Sequence, residues 1–206
     1  MTIKFVTDPE NPSNSYYLIE GKKFRIVDAD FSYANLSGIR ISGYETDRNR
    51  ADYPTVVELT RINLQGADLS DAYLAACWLN HANLCETTLE RASLHNIRFD
   101  DGTNSPANMS SVNFAQAKLI KVDFDYADLT DADFRSATID TCSFNYTHLK
   151  NSNFSGAQII NCYVFNTFIG GAILPDGKRA RSINDLKKYG CLEHNRKPFS
   201  YKDFGI

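Results

Sequence analysis

From Phe24 to Leu174 the chain keeps a five-residue beat. One large apolar residue recurs every fifth position, a smaller one stands two places before it, and the other three are mostly polar. A first run has centres Ile26, Phe31, Leu36 and Ile41, preceded by Phe24, Ala29, Ala34 and Ile39. A second runs from Leu59 in steps of five to Phe99, and a third from Phe114 to Leu174. The small partners are mainly Ala, Cys, Thr, Ser and Val, as at Ala117, Val122, Ala127, Ala132, Ala137, Cys142 and Thr147. A period of five fits neither a strand, which alternates every two, nor a helix of 3.6 residues per turn. It fits a stacked repeat. Two apolar residues two apart share one face of a short extended segment, and a turn must follow. Repeating that corner winds a coil whose interior receives both residues. Its backbone pairs with the coils above and below at about 4.8 Å, and its two ends need caps. Phe114, Phe134 and Phe154, flanked by Leu94 and Leu174, recur every twenty residues, and Phe124 and Phe144 keep the same step. Four five-residue units per coil would stack these rings along the axis.

Ala67-Asp68-Leu69, Ala82-Asn83-Leu84, Ala127-Asp128-Leu129 and Ala132-Asp133-Phe134 follow the motif A(D/N)LXX, with Ala34-Asn35-Leu36 and Ala157-Gln158-Ile159 looser copies. Over residues 24–174 the chain resembles the pentapeptide-repeat family. The resemblance implies an all-β fold, a right-handed quadrilateral β-helix with four pentapeptides per coil. It leaves the biochemical role open, because one fold hosts many functions.

Function is sought where the beat breaks. Ile41 and Leu59 are eighteen residues apart, so a loop at about 42–56 leaves the coil wall. Its charged residues Glu45, Asp47, Arg48, Arg50 and Asp52 are candidates for partner binding, since loops on a rigid scaffold are natural recognition elements. The plain alternative is an insertion, which surface loops tolerate at small entropic cost. Phe99 to Phe114 keeps the register, yet Asp100-Asp101-Gly102-Thr103-Asn104-Ser105-Pro106 makes Asn104 a polar centre. Over 100–108 either one face bulges or a ten-residue loop interrupts the coil.

Residues 1–23 read as an N-terminal cap with strands at 3–6 and 16–19, and 175–206 as a capping helix and tail. Ser182 is placed to cap that short helix, Asp185 stands at the capping-box position and Gly190 can end it. Apolar residues stand at outward positions of the last coil: Ile160, Tyr163, Phe165, Phe168 and Ile173. Exposed together they would demand a cover. The returning C-terminal segment, through Ile183 and Leu186, is the economical one. A homodimer contact is the other, and the resemblance implies that reading, because several family members dimerise at this end. The oligomeric state is left open between monomer and homodimer.

The net charge of −3 is unevenly spread. Eight acids between Asp100 and Asp140 face only Lys118, Lys121 and Arg135, while the chain from Pro175 onward has eight bases and four acids. Some members of the family bind DNA gyrase by resembling duplex DNA, so the resemblance makes Asp123, Asp125, Asp128, Asp131 and Asp133 candidate partner contacts. Seven coils span roughly 34 Å, over which a duplex presents about twenty charges, far more than this chain carries. Around Asp123–Asp140 five net negatives over about 10 Å approach the roughly six of DNA. The plain reading is that Asp is the motif's preferred residue before the centre. The basic tail interleaves its acids and has no aromatic platform, so direct nucleic-acid binding is not expected.

Catalytic and metal constellations are not found in the sequence. The four histidines lack ligand spacing, and no phosphate loop or nucleophile motif occurs. No cofactor is expected. Cys77, Cys142 and Cys162 take inward positions and read as small hydrophobes, whereas Cys85 and Cys191 are expected to be exposed and reactive. No run approaches a membrane span, no apolar signal core follows Met1, and five irregularly spaced cysteines do not form a disulfide framework. A reducing cytoplasm is expected. The reading is a non-catalytic rigid scaffold that binds a protein partner. The alternative is a DNA mimic that protects or inhibits gyrase, a type II topoisomerase.

Overall fold

The computed structural model describes residues 2–6, 16–20, 24–25, 28–42, 57–99 and 107–193. An antiparallel pair comes first, β1 (Thr2–Val6) with β2 (Tyr16–Glu20), in register from Thr2↔Glu20 to Val6↔Tyr16. All pairing within the coil that follows is parallel, and it defines a right-handed, four-sided β-helix.

The first side begins with β3 (Phe24–Arg25), β5 (Val57–Glu58) and β7 (Cys77–Trp78), with β4 (Arg40–Ser42) and β6 (Tyr73–Ala75) lying between them in sequence but on the fourth side. It continues through the bridges Trp78↔Arg98↔Asp123↔Ser143↔Tyr163. The second and third sides are columns of single bridges, Asp30↔Asn63↔Asn83↔Asn108↔Asp128↔His148↔Phe168 and Asn35↔Asp68↔Thr88↔Asn113↔Asp133↔Asn153↔Ile173. The fourth side extends from β4 and β6 through β8 (Ser93–His95), β9 (Lys118–Ile120), β10 (Thr138–Asp140) and β11 (Gln158–Ile160).

The corners explain the motif. Along the first three sides the residue two places after a centre commonly takes a left-handed conformation, as at Asp71, His81, Glu86 and Arg91, and the next N–H closes a turn onto the centre's carbonyl, as Ala72 does on Leu69 at 3.1 Å. The residue before the centre holds that turn with its side chain. The Asp68 carboxylate accepts the Ser70 N–H at 2.9 Å, and Asn83, Asn113 and Asn153 do the same for Cys85, Ala115 and Ser155. Asp and Asn have the short oxygen-bearing side chain that reaches its own backbone two residues on. The motif's D/N position is therefore a turn-making position.

Adjacent coils are twenty residues apart except at two places. Ile41 pairs Leu74, thirty-three residues on, so the segment 43–56 adds thirteen residues beyond one coil. Leu94 pairs Leu119, twenty-five on, so 100–106 adds five. Met109 resumes the interior as a fully buried centre, while Asn104 lies outside the described residues. This five-residue addition corrects one expected column: Leu94 does not head the Phe114–Phe134–Phe154 stack. Leu89 does, through Thr88↔Asn113, and Phe99 heads Phe124 and Phe144 through Arg98↔Asp123. One extra pentapeptide preserves the beat but rotates every later residue by one side.

Inside, rings stack down the columns and meet edge-on across them. Phe114 and Phe134 lie 5.2 Å apart at 18°, Phe134 and Phe154 4.7 Å at 1°, and Phe124 crosses Phe134 at 87°. At the C-terminal end Leu174 donates its N–H to the Lys178 carbonyl at 2.7 Å, and the chain reverses so that Arg179 pairs antiparallel with Ile173. The four-residue helix α1 (Asn184–Lys187) follows, buries Leu186, and leads into β13 (Cys191–Leu192), which pairs with β12 (Cys162–Tyr163). The N-cap is Ile183, with no side-chain cap, rather than Ser182. The Asp185 carboxylate instead accepts the backbone N–H groups of Arg181 at 2.9 Å and Ser182 at 3.2 Å. Gly190 has φ +98°, and a Cβ there would lie 2.7 Å from the Ile159 carbonyl oxygen. The cap is thus seated backbone to backbone. Among the described residues no helix is long and apolar enough to cross a membrane.

Candidate interaction surface

The five candidate acids do not form one charged surface. Asp123 and Asp125 are buried. Asp123 holds its turn by accepting the Asp125 N–H at 3.2 Å. The Asp125 carboxylate is enclosed by the next coil, where it accepts the Ser143 hydroxyl, the Asn145 backbone N–H at 2.9 Å and the Asn145 amide at 3.4 Å. Asp133 spends its oxygens on the Arg135 backbone N–H and guanidinium. Asp128 holds the Thr130 N–H at 3.0 Å and is half-buried. Of the five, Asp131 alone is exposed, at a left-handed corner with φ +59°. A carboxylate that is buried or paired with a base is a poor stand-in for a phosphate, which leaves Asp128 and Asp131 of the five. Glu45, Asp47, Arg48, Arg50 and Asp52 lie outside the described residues.

The C-terminal apolar residues are divided by the returning segment. Leu186 is buried, Ile183 packs against the core, Tyr163 lies beside Leu192 in the β12–β13 pair, and Ile173 is bridged by Arg179. Phe165 is half-buried, while Ile160 remains 42% exposed and Phe168 61%.

Phe165 and Phe168 belong to a strip that the sequence reading missed. Tyr126 and Tyr146, twenty residues apart at the corner between the first and second sides, stack at 4.8 Å with ring planes 4° apart. Phe165 meets the edge of Tyr146 at 5.7 Å, and His148 meets Phe168 at 4.8 Å. The signal was available: Tyr126 and Tyr146, like His148 and Phe168, differ by one coil.

Other corners carry charge. Arg91 forks onto Asp71 with two bonds of 2.9 Å and also pairs with Glu90, and this hydrogen bonding holds the Asp71 carboxyl below its ordinary range. On the fourth side Arg40 stacks over Tyr73, Tyr73 packs on His95, and the Ser93 hydroxyl lies 2.8 Å from His95 Nε2. Burial and then the Lys118 charge lower the His95 pKa.

All five cysteines are free thiols. Burial pushes Cys77 up to about 12 and raises Cys142 well above the usual thiol value. Cys191 is corrected: it is 4% exposed, stacked in register on Cys162, and its pKa is raised by burial. The returning strand that covers it could not be read from the tail's composition. Cys85 is half-buried and accepts a bond from the Ser110 hydroxyl. Among the described residues no group of three or more His, Cys, Asp or Glu side chains could hold a metal ion.

The family model for pentapeptide repeats matches residues 67–101 and 107–145 in eight copies. It breaks where the pairing gains five residues. Residues 67–101 and 107–145 therefore carry pentapeptide repeats. No curated protein matches the chain. Among solved structures, the chain is similar to HetL, a pentapeptide-repeat protein involved in heterocyst differentiation regulation in the cyanobacterium Nostoc sp. strain PCC 7120. Identity there is 19%, covering 76% of this chain and 89% of that one, with a TM-score of 0.22. It is also similar to QnrB1, a plasmid-mediated fluoroquinolone resistance protein, at 19% identity over 74% and 82% of the two chains, TM-score 0.35. A third is the pentapeptide-repeat protein AT2G44920 of the Arabidopsis thaliana thylakoid lumen, at 19% identity over 68% and 88%, TM-score 0.25.

Proposed function

We propose that this repeat protein is a non-catalytic scaffold that binds a protein partner along one flank of a rigid rod. The observation that carries this reading is the aromatic strip Tyr126–Tyr146–Phe165 with His148 and Phe168 beside it. Aromatic residues supply much of the energy of protein interfaces from patches bordered by polar groups. Here they are fixed to a hydrogen-bonded lattice, so little side-chain freedom is lost on binding. Asp131 and Lys150 stand as polar neighbours in the same coils. The cytoplasm is the compartment assigned, and the free thiols support it. Membrane and direct nucleic-acid contact form no part of the reading. Affinity capture with the wild-type protein, a Tyr146→Ser/Phe168→Ser variant and a Tyr33→Ser control tests it. Tyr33 is 72% exposed and sits at the far end of the rod. A partner kept by the wild type and the control but lost from the strip variant upholds the strip. A partner kept by all three removes it.

A second reading, a DNA mimic that binds gyrase, draws on Asp128 and Asp131, the two of the described candidate acids that are neither buried nor paired with a base. Gyrase supercoiling with and without a fluoroquinolone, across a titration of the protein, separates the readings. Salt-sensitive inhibition or drug protection, abolished by Asp128→Lys/Asp131→Lys, would favour the mimic; no effect through the titration rejects it.

A further inference from the structure

Between the reversing turn at 175–181 and α1 lies a cleft of about 650 Å³. Four cations line it, Lys178, Arg179, Arg181 and Lys188, against two carboxylates, Asp176 and Asp185. Both carboxylates are committed within the protein. Asp176 accepts Lys178 Nζ at 2.8 Å and the Lys178 N–H at 3.1 Å, and also bonds the Tyr189 hydroxyl. Asp185 accepts Lys188 Nζ at 3.2 Å and the two backbone N–H groups that shape the turn. The guanidiniums are not so committed. Among the described residues Arg179 makes one long bond, Nη1 to the Gly171 carbonyl at 3.4 Å, and Arg181 hydrogen-bonds through its backbone N–H alone. The cleft therefore carries two arginine forks in excess of its acids.

Arginine forks match the oxygen geometry of phosphate and are weakly hydrated, so they give up solvent more readily than lysine. One fork satisfies a carboxylate, whereas two suit a tetrahedral dianion. The remaining wall is apolar and aromatic, from Leu174, Ala180 and Tyr189. The volume falls within the roughly 300–1,000 Å³ of small-molecule sites. We infer that this cleft binds a phosphoryl group, free or as a small phosphomonoester, held by Arg179 and Arg181 with the ligand body against Leu174 and Tyr189. The site is separate from the aromatic strip and stands or falls independently of it.

Calorimetric titration of the whole protein with inorganic phosphate, AMP and adenosine at constant ionic strength tests the inference. Phosphate and AMP should bind saturably, and adenosine should not. AMP binding tighter than inorganic phosphate identifies a phosphomonoester, equal affinity identifies free phosphate, and both uphold a phosphoryl site. Arg181→Gln should weaken binding by roughly tenfold or more, the worth of a charged hydrogen bond. Its guanidinium makes no hydrogen bond or ion pair among the described residues, so the variant should unfold at the wild-type midpoint. The affinity for AMP should also rise with pH through about 6 as its phosphate monoester becomes a dianion. Absence of saturable binding by either phosphate-bearing probe would overturn the inference. So would adenosine binding as tightly as AMP, or AMP binding unchanged in both Arg181→Gln and Arg179→Gln.

Discussion

In residues 57–99 the interior centres are leucines as far as Phe99, and the corners carry ions, such as Arg61 on Asp28 and Arg91 on Asp71. In residues 107–174 phenylalanines fill two of the four columns, and one corner carries a ladder of tyrosines. The frame beneath is the same. Asp68 and Asp128 close equivalent turns, on Ser70 at 2.9 Å and Thr130 at 3.0 Å. The shared turn and ladder bonds make the fold, and what fills or decorates them varies freely. Exposed ion pairs contribute little, whereas an aromatic pair is worth about 0.5–1.5 kcal/mol beyond its burial. The phenylalanine half is thus the more firmly built, and it carries the strip proposed to meet a partner.

The largest expected difference between the halves is inside. Phe134→Ala removes a ring stacked on both sides and should cost about 4 kcal/mol, against about 3 for Leu84→Ala, both read from urea unfolding midpoints. Equal losses would mean that stacking adds nothing to burial. The shared frame is probed by Asp68→Ala and Asp128→Ala, each of which gives up one turn bond. Both should lose about 1 kcal/mol, and a loss confined to one would show that the turns are not equivalent.

The smallest difference is pH-dependent. The folded pKa of His95 is lowered, so the unfolded chain binds more protons as pH falls below about 6.5. Its contribution is fully present above that value and is lost as pH falls through the folded pKa. Between pH 7.5 and 5.5 the amides of Leu74 and Leu94 should lose exchange protection relative to Ile139. His95→Gln should flatten that trend, and an unchanged trend would assign it to another group.

The fold was readable because a coil built from identical corners writes the same five letters at each. The beat even places the stacked phenylalanines twenty residues apart. Leu94 was misplaced because an insertion of one whole pentapeptide is silent in a period of five yet turns the chain by a quarter coil. Asp125 stands at a position that ordinarily faces outward, and its burial depends on Ser143 and Asn145 of the next coil, eighteen and twenty residues away. Asp123, Asp128 and Asp133 looked like charge, but their local task is to hold a turn. Tyr126 and Tyr146 were visible as a recurrence, though sharing a corner does not by itself say that two rings lie parallel. Cys191 looked free because no repeat announces that the tail returns to pair with β12.

The single rung spacing makes the rod a ruler. Along any one side, the height of a group above another is a whole number of graduations of about 4.8 Å. Tyr126 to Tyr146 is one graduation, and Asn113 to Asn153 is two. The extra residues counted within 43–56 and 100–106 do not alter the marks on either side, since Ile41 still pairs Leu74 and Leu94 still pairs Leu119. A surface fitted to this rod must therefore match integers, and inserting twenty residues would move its features by one mark while leaving both caps as they are.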